Sequence, residues 1–291
     1  MSTAEALALF VAQLRADGRA DLTIRQYQHH VRLLDRWLAE RHPGISVETL
    51  DHVMVASFLG SPEARLRANG TAKRTMTMNA LRTSLRVFST YIHQAGYCTI
   101  NPARLVRRAR GQPAPPRSLS ADEQARLLAV LREAKGTEAE RDYVLFQLML
   151  ATGLRIGSAL GLEARDVDLD QGEILVRRAK GEQPYTVIVP PSIHEDIQRF
   201  LGQRGPGRMF TSATGRPITS RQAQRRLDQW ATRAGLGGRV TPHTLRHAFG
   251  MRIYRKTGDL PLVQRALGHR SIRSTAIYAR CCSDRLREIL A

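Results

Sequence analysis

The stretch Gly111-Gln112-Pro113-Ala114-Pro115-Pro116-Arg117 constrains the architecture more than any other part of this chain. Each proline fixes its own φ and has no N–H to donate, so neither a helix nor an inner strand can run through the segment. Such a run is an extended spacer. It divides the 291 residues into pieces of about 110 and 175, each long enough to bury its own core. The expected organisation is a domain over 1–110, a linker over 111–117 and a second domain over 118–291.

Apolar residues before the linker recur with helical spacing: Leu7, Phe10 and Leu14; Ile24, Tyr27, Val31, Leu34 and Leu38; and Leu81, Leu85, Phe88 and Ile92. With Val53 to Leu59 between the last two sets, the pattern predicts four helices. Arg82 and Arg86 lie four apart beside the last stripe, and Lys73 and Arg74 stand near its start. Together they offer one basic face, either for DNA or simply for solvent.

Beyond the linker, Ser120 followed by Glu123 predicts a capping box at a helix start, and Tyr143 to Ala151 is apolar on nearly every side, as in a buried helix. The period then changes. Val167 and Leu169, then Ile174 to Val176, then Val187 to Val189 are separated by Asp170-Gln171-Gly172 and by Gly181-Glu182. This predicts a small three-stranded antiparallel sheet. Helices resume near Ser192, so the fold class is mainly α.

The formal net charge is +19, beyond what solubility requires, and points to a polyanionic partner such as nucleic acid. It is concentrated: residues 61–120 carry +10 and 201–291 carry +14, while the rest is slightly acidic. Two basic stretches suggest two DNA-facing surfaces. Cys98, Cys281 and Cys282 form no C-x-x-C pair and have no metal-ligand spacing with histidine, which fits a reducing cytoplasm. No stretch reaches the ~18 apolar residues of a membrane span, and the first residues do not resemble a secretory leader. The expectation is a soluble intracellular protein without metal or other cofactor.

Six residues carry candidate chemistry. Arg155 follows Thr152-Gly153-Leu154, where the glycine can end one helix and let another begin at the arginine, a good place for a phosphate oxygen. His243 and Arg246, preceded by Thr241-Pro242, lie three apart on one helical face and can address the same anion. Gly268 ends the stripe Leu262, Val263, Ala266 and Leu267, placing His269 on a loop, and Ser271 can cap a short last helix carrying Tyr278. Lys180 stands in the predicted turn of the second hairpin, as a projecting cation. Singly, each has a plainer reading: surface ion pair, helix cap, packing aromatic, exposed hairpin lysine. Together they supply forked guanidiniums, proton donors and acceptors, and a phenol, a set suited to attack on a phosphodiester.

In order and spacing these residues resemble the tyrosine site-specific recombinases, the phage integrases and Xer-type recombinases. Thr152-Gly153-Leu154-Arg155 is similar to the family's first arginine box. Thr241 to His247 and Leu267-Gly268-His269, ending at Tyr278, are similar to its second. Lys180 matches the family lysine. One departure is Ser158, where members commonly carry an acidic residue. The chain also starts directly with the core-binding helices, as Xer-type members without an arm-binding domain do.

The resemblance implies a four-helix, SAM-like core-binding domain and a mostly helical catalytic domain with a small sheet, closing on DNA as a C-shaped clamp. It implies a 3′-phosphotyrosyl intermediate made by Tyr278, with Arg155 and Arg246 on the phosphate oxygens, His243 as base, His269 as hydrogen-bond donor and Lys180 as acid. Neither ATP nor metal is needed, because the ester keeps the bond energy. It further implies a double-stranded DNA target site, a homotetramer on two sites passing through a Holliday junction, a monomer or weak dimer when free, and a place on the nucleoid. Leu286, Ile289 and Leu290 suggest a tail that docks on a neighbouring protomer. The competing activities are type IB topoisomerase-like relaxation and DNA binding without cutting.

Overall fold

The computed structural model describes residues 1–110, 117–177, 183–203, 205–268, 271–272 and 275–280. The chain separates into two compact units, Met1–Pro113 and Ala114–Ala291. The predicted linker, except Arg117, lies outside the described residues, as do Lys180, His269 and the tail after Arg280.

The first unit contains α1 (Thr3–Ala16), α2 (Asp21–Arg41), α3 (His52–Gly60), α4 (Pro62–Arg65) and α5 (Thr75–Gln94). The four helices expected from apolar spacing are present; α4 is an added single turn that Ser61 caps and Pro62 starts. Phe10 of α1 forms the centre, with its ring 5.6 Å from Phe88 edge to face and 6.0 Å from Tyr27. Val31, Leu34, Leu85 and Ile92 are fully buried around it. Complete burial of one such side chain is worth about 1.5–3 kcal/mol, so this stripe decides which faces of α1, α2 and α5 turn inward.

The second unit contains α6 (Ala121–Glu133), α7 (Thr137–Thr152), α8 (Ile156–Gly161), β1 (Val167–Asp168), β2 (Glu173–Val176), β3 (Tyr185–Ile188), α9 (His194–Gly202), α10 (Ser220–Arg233), α11 (Pro242–Thr257), α12 (Leu260–Leu267) and α13 (Ala276–Arg280). The capping box of Ser120 and Glu123 opens α6 as expected. The sheet has order β1-β2-β3, antiparallel throughout, with Val167 opposite Ile174 and Val176 opposite Tyr185.

Helix α7 is the axis of this unit. Ala139 and Arg141 to Leu150 are buried, and α6, α9, α10 and α11 all pack against it. Two charges are buried with the apolar residues. Asp142, 1% exposed, accepts hydrogen bonds from Arg141 Nε and Nη2, Arg226 Nε and Trp230 Nε1 at 2.6–3.0 Å. A carboxylate in such a place is tolerated because every lone-pair direction meets a donor. Among the described residues no helix is long and apolar enough to cross a membrane.

Candidate active site

Gly153 ends α7 in the left-handed conformation, φ +68°, and its N–H donates to the carbonyl of Met149. The reversal allows α8 to start at once, with Arg155 at its N-cap. A side chain at 153 has no room: a Cβ there would lie 2.3 Å from Cδ1 of Phe249 and 2.9 Å from Cδ2 of Leu267. The glycine therefore lets α11 and α12 approach the arginine box.

Thr241 caps α11 through the amide of Thr244, and Pro242 occupies its first turn, as the Thr-Pro spacing predicts. His243 is exposed on that turn, while Arg246 is buried. The Arg246 guanidinium donates from Nη1 to the Gly153 carbonyl at 2.6 Å and from Nη2 to the Leu267 carbonyl at 2.5 Å. Arg155 donates from Nη2 to the next carbonyl, Gly268, at 3.2 Å. Two arginines 91 positions apart are thus joined through consecutive carbonyls where α12 ends in the left-handed Gly268, φ +59°. These backbone acceptors orient the two guanidiniums side by side at the end of α12.

Tyr278 is buried, 1% exposed, in a small apolar cluster with Phe249, Met251, Val263 and Leu267. Its hydroxyl lies 3.0 Å from Nδ1 of His247. The helix that carries it opens at Ala276 behind Thr275; residues 273–274, between the expected cap Ser271 and this start, lie outside the described residues.

Desolvation by the surrounding protein first, then the charges of Arg246 and Arg155, holds the His243 imidazole below its ordinary basicity. His247 is pushed further, to about 4, by burial and then by His243 and Arg246. Both rings are therefore neutral near pH 7 and able to accept a proton or a hydrogen bond.

The sheet reaches the same region. A Cβ on Gly268 would lie 3.8 Å from Cζ of Tyr185, the residue that starts β3 and pairs with Val176. Lys180 falls between those paired strands in sequence, within 178–182, and His269 directly follows Gly268; both lie outside the described residues.

On the first unit, Arg74 and Arg86 are exposed and Arg82 half-buried on α5. Lys73 is turned to the fold, donating to the carbonyls of Glu63 and Ala64 at the short helix α4. Asn79 carries no signal in the sequence pattern, yet it has a clear place here. Its side-chain amide donates to the Ala109 carbonyl and accepts from the Ala109 N–H, at 3.0 and 2.9 Å, while Arg82 donates to the same Oδ1. This clamp holds the exposed Arg107, Arg108 and Arg110 beside the start of α5. His247 likewise has no role in the motif reading; its place one position after an arginine of the H-x-x-R pair is the available signal.

A family profile described as "Phage integrase family" matches residues 117–284, and one described as "Phage integrase, N-terminal SAM-like domain" matches 7–96. The chain is 30% identical to tyrosine recombinase XerC of Salmonella typhi over 88% of this chain and 84% of the relative. It is 28% identical to tyrosine recombinase XerD of Ralstonia nicotianae over 100% and 94% of the two chains. Among solved structures, XerH bound to palindromic difH substrate in a post-cleavage complex aligns with TM-score 0.75 and 23% identity, over 96% of this chain and 84% of that one. A lambda integrase dimer bound to a COC′ core site aligns with TM-score 0.75 and 19% identity, over 94% and 96%.

Proposed function

The chain belongs to the phage integrase family, as a tyrosine recombinase that cuts and rejoins DNA at specific sites, and from that premise we propose that Arg155, Lys180, His243, Arg246, His269 and Tyr278 form its single transesterification centre. The observation that carries the assignment is the position of Arg246. Its guanidinium ties the Gly153 carbonyl of the first arginine box to the Leu267 carbonyl ahead of His269, and the next residue of its helix meets Tyr278.

In the proposed reaction the Tyr278 oxygen attacks the scissile phosphorus. A phosphorus–oxygen bond to tyrosine forms, the bond to the 5′ oxygen breaks, and a 3′-phosphotyrosyl link remains. Arg155 and Arg246 offset the charge that develops on the non-bridging oxygens. His243, neutral near pH 7, takes the phenol proton, Lys180 protonates the departing 5′ oxygen, and His269 donates a hydrogen bond to the phosphate. Attack by the 5′ hydroxyl of a second duplex reverses the step and joins exchanged strands, which requires four protomers on two sites and a Holliday junction.

The solved neighbours described as bound to difH and to a COC′ core site support double-stranded DNA as the partner. Arg74, Arg82 and Arg86, with the clamped arginines at 107–110, would meet its phosphates; Lys73 would contribute through the loop it braces. The expected place of action is nucleoid DNA in the cytoplasm.

Nicked duplexes tiled across the DNA flanking the gene test this reading. One of them should give a detergent-resistant adduct with the wild-type protein and none with Tyr278→Phe, and Arg246→Ala should slow its formation by about 10²–10³, the usual loss for one transition-state contact. An adduct that survives Tyr278→Phe would remove the assignment.

A further inference from the structure

We propose that His247 is a positioning residue for the nucleophile, its Nδ1 fixing the direction of the Tyr278 hydroxyl on a seat that Gly250 keeps open. The inference rests on the reading of Tyr278 as nucleophile and adds two residues to that site.

Three observations carry it. The Nδ1-to-hydroxyl distance is 3.0 Å, with the rings 5.8 Å apart and inclined at 59°, so the imidazole meets the phenol at its polar end. Gly250 lies three residues after His247 on the same face of α11. A Cβ there would fall 2.6 Å from Cζ of Tyr278 and 2.8 Å from its hydroxyl oxygen. Glycine in a helix interior costs about 0.5–1 kcal/mol relative to alanine, and here the missing methyl is the space the ring end occupies. Third, Tyr278 is 1% exposed and packs with Phe249, Met251, Val263 and Leu267.

The chemistry agrees with the geometry. A neutral imidazole in the Nε2–H tautomer offers Nδ1 as an acceptor, and the crowding that lowers His247 basicity keeps it in that state. The hydroxyl then has a defined position before any phosphate arrives. Displacing a reacting atom by about 1 Å can cost about a hundredfold in rate.

The test uses the whole protein in two measurements. Imidazole ¹⁵N spectra of the free protein should show one Nδ1 resonance that moves in Tyr278→Phe and disappears in His247→Asn; no movement would overturn the contact. Adduct formation is then timed on the duplex from the tiled set. His247→Leu and Gly250→Ala should each be slower by about tenfold to a hundredfold. Their duplex affinity should be unchanged. His247→Asn, which places an amide near the position of Nδ1, should stay within about threefold of wild type. Wild-type speed in His247→Leu, or an Asn variant as slow as the Leu variant, would refute positioning. A wild-type protein that forms no adduct, or an adduct retained by Tyr278→Phe, would instead overturn the nucleophile assignment, while the spectra still report on the contact.

Discussion

Gly153 rests against the ring of Phe249 with no space for a methyl group between them: a Cβ on the glycine would lie 2.3 Å from Cδ1. The left-handed turn that presents Arg155 and the helix that carries His243 and Arg246 are therefore built around the absence of one side chain. Gly153→Ala incurs both the left-handed backbone penalty and overpacking, about 2–4 kcal/mol together. Urea denaturation should show that loss, and adduct formation should fall further than stability does, because Arg155 leaves the Gly268 carbonyl.

Asp142 predicts a different failure. Its carboxylate is the acceptor for Arg141, which is 2% exposed, and for Arg226 and Trp230. Asp142→Ala removes the buried carboxylate and leaves the Arg141 guanidinium only the half-exposed Glu138 at 3.6 Å; breaking a buried pair in this way typically costs about 3–5 kcal/mol. Calorimetry should register it as a large drop in melting temperature of the second unit.

The Asn79 clamp makes a prediction about DNA binding. Asn79→Ala removes both hydrogen bonds to Ala109, each worth about 0.5–1.5 kcal/mol, and frees Arg107, Arg108 and Arg110 from α5. Trypsin should cut there faster. If those arginines meet phosphates, the slope of log affinity against log salt should fall by about 0.9 for each phosphate that is no longer neutralised. An unchanged slope would place the DNA face elsewhere.

Acid should destabilise the protein through two histidines. His30 and His247 each have a pKa lowered from 6.5 to about 4, by burial first and then by neighbouring His29 and Lys73, or by His243 and Arg246. The unfolded chain takes up these protons as pH falls through 6.5, whereas the folded chain does so only near 4. Stability should therefore be full above about pH 6.5 and decline toward pH 4. Urea midpoints across that window should show the decline, and His30→Asn, which cannot titrate, should make it shallower.

Much of this was legible from local pattern. Apolar periodicity marked the helices that hold Phe10 and Phe88, the alternation over Val167 to Val189 marked the sheet, and Thr241-Pro242 and Gly268 marked where α11 starts and α12 ends. These signals are local because caps, turns and amphipathic faces depend on a few neighbouring residues.

The sequence alone determined the type of chemistry, since two guanidiniums, imidazoles, a lysine and a phenol in that order suit few reactions other than phosphodiester transfer. Tertiary structure alone decided the company each residue keeps. Arg246 joined to Gly153 and Leu267, Asn79 to Ala109, and Tyr278 seated on His247 and Gly250 are contacts between residues 21 to 93 positions apart. They exist because burial brings helices together, and a chain read one residue after another carries no distance between its helices.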